Sequence, residues 1–384
     1  MAQGTTGAAL AARALCEAGV RVLFALPGEH IDPLLEAAAE DGLRVITTRH
    51  EEAAVLAAEG WALATAEPGV AAVTAGPGLA NALPGMVEAQ AAGVPVVVIA
   101  GRTALAQRGR GAVQDLDQLA LVAPTTKWRA ECLATARIPA AVAEALHRAR
   151  AGAPGVAYLE VPLDVLTGRA EAAAPEPPAG FPPGPARTAP PPDLVGRAVE
   201  LLASAERPVV LAGSGAFFSG AAQPLRSFAE RTGVPVITTS AARGLLDDEH
   251  PRCLGGLVHG GIALASADAC LLLGSRFNAN LLYGGAPLFP AEQRIVQVDI
   301  RPEHLGGERR PDLALAGDVA ATLEALVAAW SRPPGAFDAW CEHAHRGVAA
   351  SRESWDREAA RPAEGLHPGR AARELARLAA ARGP

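Results

Sequence analysis

The chain has 384 residues, of which 50% are hydrophobic and 20% are charged. This length and apolar share are enough for two or three domains with their own cores. The formal net charge of -7 at pH 7 removes the electrostatic basis for binding nucleic acid, because neutralising phosphates needs clustered Lys and Arg. We therefore expect a small-molecule or protein partner and no nucleic acid.

The cysteines and the apolar runs bear on location. The five cysteines are scattered, with no close pair of the kind that frames a zinc site or a redox loop, and reduced thiols are typical of cytosolic proteins. The opening segment lacks the pattern of a signal peptide. The longest strongly apolar run, residues 94–100, is too short to cross a bilayer. We predict a cytoplasmic protein without membrane association.

Residues 1–170 carry the pattern of a parallel α/β domain. Short β-branched runs alternate with alanine- and leucine-rich stretches, which predicts a parallel sheet with helices on both faces. The predicted strands are residues 21–26, 44–48, 70–74, 94–100 and 156–161. The predicted helices are residues 31–40, 51–65, 79–91 and 138–150. This order indicates one doubly wound domain.

Repeated proline at residues 171–192 predicts an extended connector, because proline removes backbone donors and blocks helix formation. The alternation then restarts, which predicts a second, Rossmann-like α/β domain at residues 193–332. Its predicted strands are residues 208–212, 234–239, 269–274 and 294–300, and its predicted helices are residues 193–205, 221–232 and 318–330. Residues 333–384 are predicted to form a helical tail.

The segment TTRHEEAA, residues 47–54, lies where a predicted strand ends and a helix begins. Ligands bind outside the carboxyl ends of strands in open parallel sheets, so Glu51 is well placed for function. First-turn acids are also favoured by the helix dipole alone. Considered by itself, the segment leaves this structural interpretation of Glu51 open.

Two glycine-containing loops strengthen the functional interpretation. LPGE at residues 26–29 follows the first predicted strand, and AGPGLAN at residues 75–81 follows the third, so both lie at the same sheet edge as Glu51. Glycine lets the backbone approach a flat ligand closely, and a helix N-terminus after such a loop favours polar contacts. These two loops and the Glu51 segment all lie at one edge of the sheet, and together they predict a ligand site.

These segments resemble the pyrimidine-binding domain of thiamine-diphosphate-dependent enzymes. PGEHIDPLLEAA, TTRHEEAAVLAAEGWALAT and TAGPGLANALPGMVEAQAAGVPVVVIAG are similar to motifs of the acetolactate synthase, 2-oxo-acid decarboxylase and 2-hydroxyacyl-CoA lyase superfamily. The resemblance continues through RGRGAVQDLDQLALVAPTTKW and GVAYLEVPLDV, and into RPVVLAGSGAFFSG and RIVQVDIRPEHLGG of the second domain. It covers almost the whole chain, with the motifs in matching order.

The resemblance implies thiamine diphosphate as the cofactor and a 2-oxo acid or a 2-hydroxyacyl-CoA as the substrate. Glu51 matches the glutamate that hydrogen-bonds a ring nitrogen of the aminopyrimidine. Sharing a proton there favours the imino form, which removes the proton from thiazolium C2. Glu52 is expected to point elsewhere. Besides Glu51, the implied cofactor-binding residues are Pro27, Gly28, Gly76, Pro77, Gly78 and Asn81.

Gln114 is the second catalytic residue that the resemblance implies, because it matches a glutamine facing the reacting centre in acetolactate synthases. Val113 stands where an aromatic residue usually precedes it, which leaves substrate placement open. Residues 105–114 contain no histidine, which disfavours the decarboxylases that use a His-His pair. His30 is kept as a candidate active-site residue, although we favour its interpretation as a surface loop histidine.

The motifs of the second domain leave open which nucleotide it binds, and the motifs of the two domains favour different reactions. Its Gly213-Ser214-Gly215 turn lacks the third glycine and the acid of a dinucleotide fingerprint. In the family this domain holds FAD, ADP or nothing, and all three stay open. Residues 276–278 and 282–285 look nearer the acyl-CoA lyases, whereas RHEEAA, AGPGLAN and VQDLD favour acetolactate-synthase-like decarboxylation with carboligation. A 2-hydroxyacyl-CoA lyase or oxalyl-CoA decarboxylase is the alternative.

Family members hold the cofactor's diphosphate through Mg²⁺ bound by a third domain, whose signature is Gly-Asp-Gly. That tripeptide does not occur in the sequence, and we predict that the chain provides no metal ligand. Mg²⁺ would come with another domain or a separate subunit. The chain is then a truncated form, one subunit of a split enzyme, or a catalytically inactive binding or regulatory relative.

Two further expectations concern surfaces. Cys341, His343 and His345 are of the residue types that bind zinc, but no fourth ligand is near, so we expect them on a solvated helix face.

The helices beside Glu51 and Asn81 are dominated by Ala, Val and Leu, and a monomer would expose too much apolar surface there. We expect a homodimer or tetramer that buries it.

Overall fold

The computed structural model describes residues 4–170, 187–333, 335–361 and 365–382. The chain divides into two compact units, Met1–Ala186 and Arg187–Pro384. Of the predicted connector at residues 171–192, the part up to residue 186 lies outside the described residues. No helix within the described ranges is long and apolar enough to cross a membrane, and the five cysteines are all free.

The first unit alternates strands and helices. Its elements are β1 Thr5–Thr6, α1 Gly7–Glu17, β2 Val22–Ala25, α2 Asp32–Glu40, β3 Arg44–Thr47, α3 Glu51–Thr65, β4 Gly69–Val73, α4 Pro77–Ala92, β5 Val96–Arg102, α5 Gln118–Val122, β6 Trp128–Glu131, α6 Ile138–Arg150, β7 Val156–Pro162, α7 Leu163–Thr167 and β8 Arg169–Ala170.

Six of these strands form a parallel sheet in the order β3-β2-β4-β5-β7-β6. Side chains on one face, including Leu23, Val70 and Ile99, pack against α1, α2 and α6. On the other face, α3 and α4 pack against each other and against the strands. Strands covered on both sides become almost continuously apolar, which explains the runs in the sequence. The predicted doubly wound fold is confirmed.

Several elements of the first unit were not predicted from the sequence, and α1 and β6 are the longest helix and strand among them. α1 begins after Thr6, whose side chain accepts a hydrogen bond from the Ala9 amide at 3.2 Å, and its buried face is mostly alanine. Alanine gives a helical pattern little contrast, so this periodicity is weak in the sequence. β6 is an edge strand that carries Arg129 and Glu131, and charged edge strands lack the apolar run of a buried strand.

Helix α3 buries a carboxyl group two turns after its start. Glu59 is 7% exposed, and burial raises the pKa of its carboxyl group, with a further upward contribution from the Glu88 carboxylate on α4. Folding therefore favours the protonated form. The stability contributed by this group is fully present below its ordinary pKa and is lost as the pH rises through the raised folded-state pKa.

Glu59→Gln is expected to raise the unfolding temperature near neutral pH by on the order of 2 °C, because the amide stays neutral in the buried position. The gain should vanish below about pH 4, where the carboxyl group is protonated in both states. Thermal unfolding followed by circular dichroism at both pH values measures the effect. The control is Glu36→Gln at an exposed position of α2, and an equal gain there would contradict the interpretation.

The second unit repeats the alternation. Its elements are α8 Pro192–Ala203, β9 Pro208–Ala212, α9 Ser214–Phe218, α10 Ala222–Thr232, β10 Val236–Thr238, β11 Cys253–Gly256, α11 Leu257–Ser266, β12 Ala269–Leu273, β13 Arg294–Asp299, β14 Leu313–Ala316, α12 Val319–Ala329, α13 Asp338–Ala360 and α14 Pro368–Arg382.

Its six strands form a second parallel sheet in the order β11-β10-β9-β12-β13-β14. Val210 and Leu271 belong to a core on one face with α8, α10 and α12, whereas Val209 and Leu272 belong to a core on the other face with α11 and α13. The predicted second doubly wound domain is confirmed. Within it, α9, β11, α11 and β14 were not predicted from the sequence.

The Gly213-Ser214-Gly215 turn follows β9 and lies against the turn that follows β12. A Cβ atom added at Gly213 would lie 2.6 Å from the Gly274 carbonyl oxygen, and one added at Gly215 would lie 2.7 Å from the Gly274 Cα. The glycines therefore have a packing role between two adjacent strand ends, which accounts for their presence without a nucleotide.

Helix α13, from the stretch predicted as a helical tail, packs Trp340, Ala344 and Val348 into the second core. The expectation that Cys341 lies on a solvated helix face is wrong, because its side chain is buried and its Sγ lies 3.5 Å from the Pro251 carbonyl oxygen. That side of the helix turns toward the sheet. In the described parts of the chain, no group of three or more His, Cys, Asp or Glu residues could hold a metal ion.

Candidate functional site

The candidate site lies at the carboxyl edge of the first sheet. β3, β2, β4 and β5 are consecutive neighbours there, and the segment that follows each of them carries a predicted site residue. Because parallel strands all end at the same edge, these four segments are brought side by side. Glu51, Gly28, Gly76 and Gln114 come from one segment each.

Glu51 is the first residue of α3, as the sequence predicted. The His50 side chain caps the helix by accepting the Glu52 amide at 3.2 Å. Glu51 is 6% exposed, and its Oε2 accepts a hydrogen bond from Asn81 Nδ2 at 3.1 Å. Glu52 turns aside, with 40% of its side chain exposed. Glu51 is thus a buried carboxyl group with an amide partner, whereas Glu52 is an ordinary first-turn acid.

The turn between β4 and α4 approaches Glu51 closely. Gly76 precedes the helix with φ 59° and ψ -116°, a conformation that residues with a Cβ rarely adopt. Pro77 occupies the first turn of α4, where its missing N–H costs nothing. A Cβ atom added at Gly78 would lie 2.5 Å from the Thr74 Cγ2 and 3.2 Å from Glu51 Oε1. Glycine at position 78 therefore leaves Glu51 Oε1 accessible from this side.

The loop after β2 forms one side of the candidate site. Pro27 is exposed, and the Gly28 amide donates to Asp32 Oδ1 at 2.7 Å. The interpretation of His30 as a surface loop histidine is wrong: its side chain is buried, and its Nδ1 lies 3.4 Å from Thr74 Oγ1. His30 is buried because the chain doubles back onto the end of β5, a long-range contact that loop composition does not encode.

Gln114 lies on the opposite flank, in the loop after β5. Its φ is 63°, which is uncommon for a residue other than glycine and often marks a functional site. Its Oε1 is buried, with no hydrogen-bond partner in the described chain. A buried acceptor without a donor is costly, so this oxygen fits contact with a ligand. The neighbouring Val113 is largely exposed.

A cavity of about 500 Å³ adjoins this edge. Its lining includes Glu29, His30, Gln107, Arg110 and Val113. The lining residue Arg110 is a cation, and the lining residue Val113 directly precedes Gln114 in the chain. The volume of the cavity is suited to a small ligand, and Glu29 and Arg110 place one charge of each sign in its lining.

Gln118 is fully buried beneath the site and was not predicted from the sequence. It accepts the Gly76 amide at 2.8 Å. Its Nε2 lies 3.0 Å from the Tyr158 hydroxyl and 3.1 Å from Glu160 Oε2. Nothing in the local pattern distinguishes this glutamine, because two of its partners, Gly76 and Glu160, lie 42 residues away on either side.

The edge fits the pyrimidine side of thiamine diphosphate. A buried carboxyl group can share a proton with a ring nitrogen, glycine backbone lets a flat ring approach, and Gln114 Oε1 lacks a donor. Six of the predicted site residues come together: Gly28, Glu51, Gly76, Gly78, Asn81 and Gln114. Pro27 and Pro77 lie exposed at the same edge.

This fold and edge define a class of α/β protein that binds a ligand at the ends of parallel strands. Residues 5–121 match the family described as thiamine pyrophosphate enzyme, N-terminal TPP binding domain. Residues 195–326 match thiamine pyrophosphate enzyme, central domain. The chain belongs to the thiamine pyrophosphate enzyme family, and the resemblance found in its motifs is confirmed.

The similar proteins include acetolactate synthases and a 2-hydroxyacyl-CoA lyase. The chain is 36% identical over 335 residues to an acetolactate synthase of Mycobacterium bovis, a match covering 85% of this chain and 53% of the relative. It is 34% identical over 333 residues to a probable acetolactate synthase large subunit of Methanocaldococcus jannaschii, covering 84% and 56%. It is 32% identical over 328 residues to a 2-hydroxyacyl-CoA lyase of Oryza sativa subsp. japonica, covering 83% and 56%. The chain spans about half the length of these curated relatives.

Proposed function

We propose that this chain supplies the pyrimidine-binding and central domains of a cytoplasmic, acetolactate-synthase-like enzyme. That enzyme decarboxylates a 2-oxo acid and joins the remaining fragment to a second carbonyl compound. The observation that carries the proposal is the buried Glu51 carboxyl group with its Asn81 partner at the sheet edge. The acetolactate synthases among the relatives support this choice of reaction.

In this proposal each residue has a physical task. Asn81 Nδ2 occupies Glu51 Oε2, which leaves Oε1, beside Gly78, to hold a proton shared with the pyrimidine ring nitrogen. Gln114 presents its side-chain amide toward the reacting groups. Bound thiamine diphosphate would supply the carbanion and the electron sink for decarboxylation. Arg110 would attract the substrate carboxylate into the adjoining cavity.

We assign the diphosphate and its Mg²⁺ to a different domain or a separate subunit. Mg²⁺ requires hard oxygen ligands at octahedral positions. The sequence contains no Gly-Asp-Gly, and the described residues offer no acidic cluster that could replace it. FAD or ADP in the central domain stays a weaker part of the proposal, because the packing of Gly213 and Gly215 already explains that turn.

The second candidate is a 2-hydroxyacyl-CoA lyase or oxalyl-CoA decarboxylase. It is favoured by the rice relative and by a strained segment after β12. Leu282 and Tyr283 both have positive φ, 49° and 54°, and both side chains are exposed. Such strain in residues with a Cβ often marks a ligand contact. A CoA adenine could stack on Tyr283 in this alternative.

The proposal is tested by joining the chain to a diphosphate-binding domain. The chain alone is expected to bind thiamine diphosphate with Mg²⁺ weakly or not at all in calorimetry. Fused to the C-terminal portion of the Methanocaldococcus jannaschii relative, it should bind at least about a hundredfold more tightly, a difference of about 2.7 kcal/mol. The fusion should also convert pyruvate to acetolactate. Tight Mg²⁺-dependent binding by the chain alone would contradict the assignment of the diphosphate site, and cleavage of a 2-hydroxyacyl-CoA without acetolactate would favour the lyase.

A further inference from the structure

The side-chain amide of Gln118 is a buried junction of four groups. Its Oε1 accepts the Gly76 amide at 2.8 Å. Its Nε2 lies 3.1 Å from the Gly101 carbonyl oxygen, 3.0 Å from the Tyr158 hydroxyl and 3.1 Å from Glu160 Oε2. Gln118 itself is fully buried. Every hydrogen-bonding atom of the amide therefore has a partner, in a place that water does not reach.

The amide can face only one way. The Gly76 backbone N–H only donates, so the Gln118 oxygen must face it, and the two hydrogens of the nitrogen are then shared among three acceptors. Tyr158 donates to Glu160 Oε2 at 2.8 Å. Burial, followed by the nearby Glu160 carboxylate, raises the pKa of Tyr158 well above its usual value, so its hydroxyl keeps its proton. The direction of every bond in the cluster is thereby fixed.

The anchor of the cluster is the Glu160 carboxylate, which is 1% exposed. Arg102 approaches it, with Nε 3.9 Å from Oε1. Arg102 also donates to the Leu116 carbonyl oxygen and lies 3.9 Å from Asp115. A buried carboxylate needs such partners, and these same partners tie the loop after β5 to the end of β7.

The Gly76 amide connects this cluster to the candidate site. Gly76 precedes α4, so its position fixes where Gly78 and Asn81 approach Glu51. A Cβ atom added at Gly76 would lie 2.8 Å from the Gln114 Cβ, so the same turn also supports Gln114. The side-chain amide of Gln118 thus contacts the turn that positions both the start of α4 and the Gln114 loop.

We propose that Gln118 is a positioning residue, which holds the start of α4 and the Gln114 loop in register with Glu51 through the Gly76 amide, with Tyr158 and Glu160 as its anchor. The assignment of catalytic consequences rests on the proposed function. The positioning itself is a property of this chain and is measurable without cofactor.

Gln118→Glu tests the direction of the bonds. The new carboxylate at position 118 still accepts the Gly76 amide, but it places an oxygen against Glu160 and the Gly101 carbonyl. The turn should loosen, and hydrogen exchange of the 74–81 backbone amides in the 384-residue chain should accelerate at least about tenfold. Exchange read by mass spectrometry resolves this segment from the rest of the sheet.

The double variant Gln118→Glu with Glu160→Gln exchanges the two roles. The amide introduced at position 160 can donate to the carboxylate at position 118, which still accepts the Gly76 N–H. Exchange in residues 74–81 is expected to be at least about threefold slower than in Gln118→Glu alone, a coupling that adjacent residues in one network show. The recovery is partial, because the Glu160 contact is restored whereas the Gly101 carbonyl oxygen still lacks its donor. A role of Gln118 in general core packing would not produce this rescue.

The control is Gln297→Glu, at a buried glutamine of the second unit that donates to the Ser275 and His304 carbonyl oxygens. It should lower the unfolding temperature without changing exchange in residues 74–81. If Gln118→Glu does not fold, Tyr158→Phe keeps the ring and removes one partner, and should give a smaller acceleration in the same segment.

Two results would overturn the proposal: unchanged exchange in residues 74–81, or no rescue by the double variant. In the fusion with a diphosphate-binding domain, Gln118→Glu should lower kcat at least about tenfold, because it displaces Asn81 and Gln114 from their positions beside the reacting groups. Inactivity of the unaltered fusion would count against the proposed function alone, since the exchange experiment does not depend on turnover.

Discussion

Glu51→Gln is expected to slow proton loss from thiazolium C2 of bound thiamine diphosphate by about 10²- to 10⁴-fold, the usual contribution of a positioned acid–base group. An amide cannot take up and release a proton at the ring nitrogen. It can still pair with Asn81, whose amide offers a carbonyl oxygen as well as N–H groups, so the fold should be retained. Hydrogen–deuterium exchange at C2 in the fused enzyme, read by NMR after acid quench, measures the effect.

Glu52→Gln is the matched control, because it removes an acid from the same helix turn at a half-exposed position. C2 exchange should stay within about twofold of the unaltered enzyme, as expected when no group acting in the reaction is touched. Unchanged exchange in Glu51→Gln would show that Glu51 is structural. A large loss in Glu52→Gln would transfer the role to that residue.

The unaltered chain is expected to form a two-fold dimer through α3 and α4, and Leu56→Glu combined with Val87→Glu is expected to convert it to a monomer. On α3, an exposed stripe runs through Ala53, Leu56, Gly60 and Leu63. On α4, the exposed residues include Asn81, Pro84 and Val87. The stripe on α4 therefore begins at the residue that binds Glu51, so the surface that we expect to be covered is continuous with the candidate site.

The expected weakening of the dimer follows from the burial of the contact and from the introduced charges. A biological contact buries more than about 1,000 Å², and an unpaired carboxylate in such a contact costs several kcal/mol. Two charges per subunit should raise the dissociation constant by at least about a thousandfold, or about 4 kcal/mol. Light scattering at micromolar concentration distinguishes the two states.

Leu133→Glu is the control for the dimer. Leu133 is comparably exposed, but it follows the edge strand β6, away from α3 and α4 in the sheet order. This variant should remain dimeric. An unaltered chain that is monomeric alone and also in the presence of a diphosphate-binding domain would remove the interface, and it would weaken the assignment of a cofactor site that needs a second wall.

Local sequence pattern was sufficient to predict the fold class and the position of Glu51 at the start of a helix. Strands buried on both faces appear as short apolar runs, and helices between them appear as alanine- and leucine-rich segments. The helix predicted at residues 51–65 has those bounds in the structure. Such features depend on neighbouring residues and on the ends of parallel strands, so local pattern together with topology is sufficient to locate them.

Contacts between distant side chains could not be predicted from the sequence and are seen in the folded chain alone. Asn81 and Glu51 are 30 positions apart, and Gln118 is 42 positions from both Gly76 and Glu160. His30 is buried by the chain at Gly101, and Cys341 by the loop at Pro251. Hydrophobic periodicity records whether a residue faces a core, but it does not record which distant group lies opposite. A buried amide such as Gln118 is therefore indistinguishable in sequence from a solvated one, since its orientation is fixed by partners that only folding brings within about 3 Å.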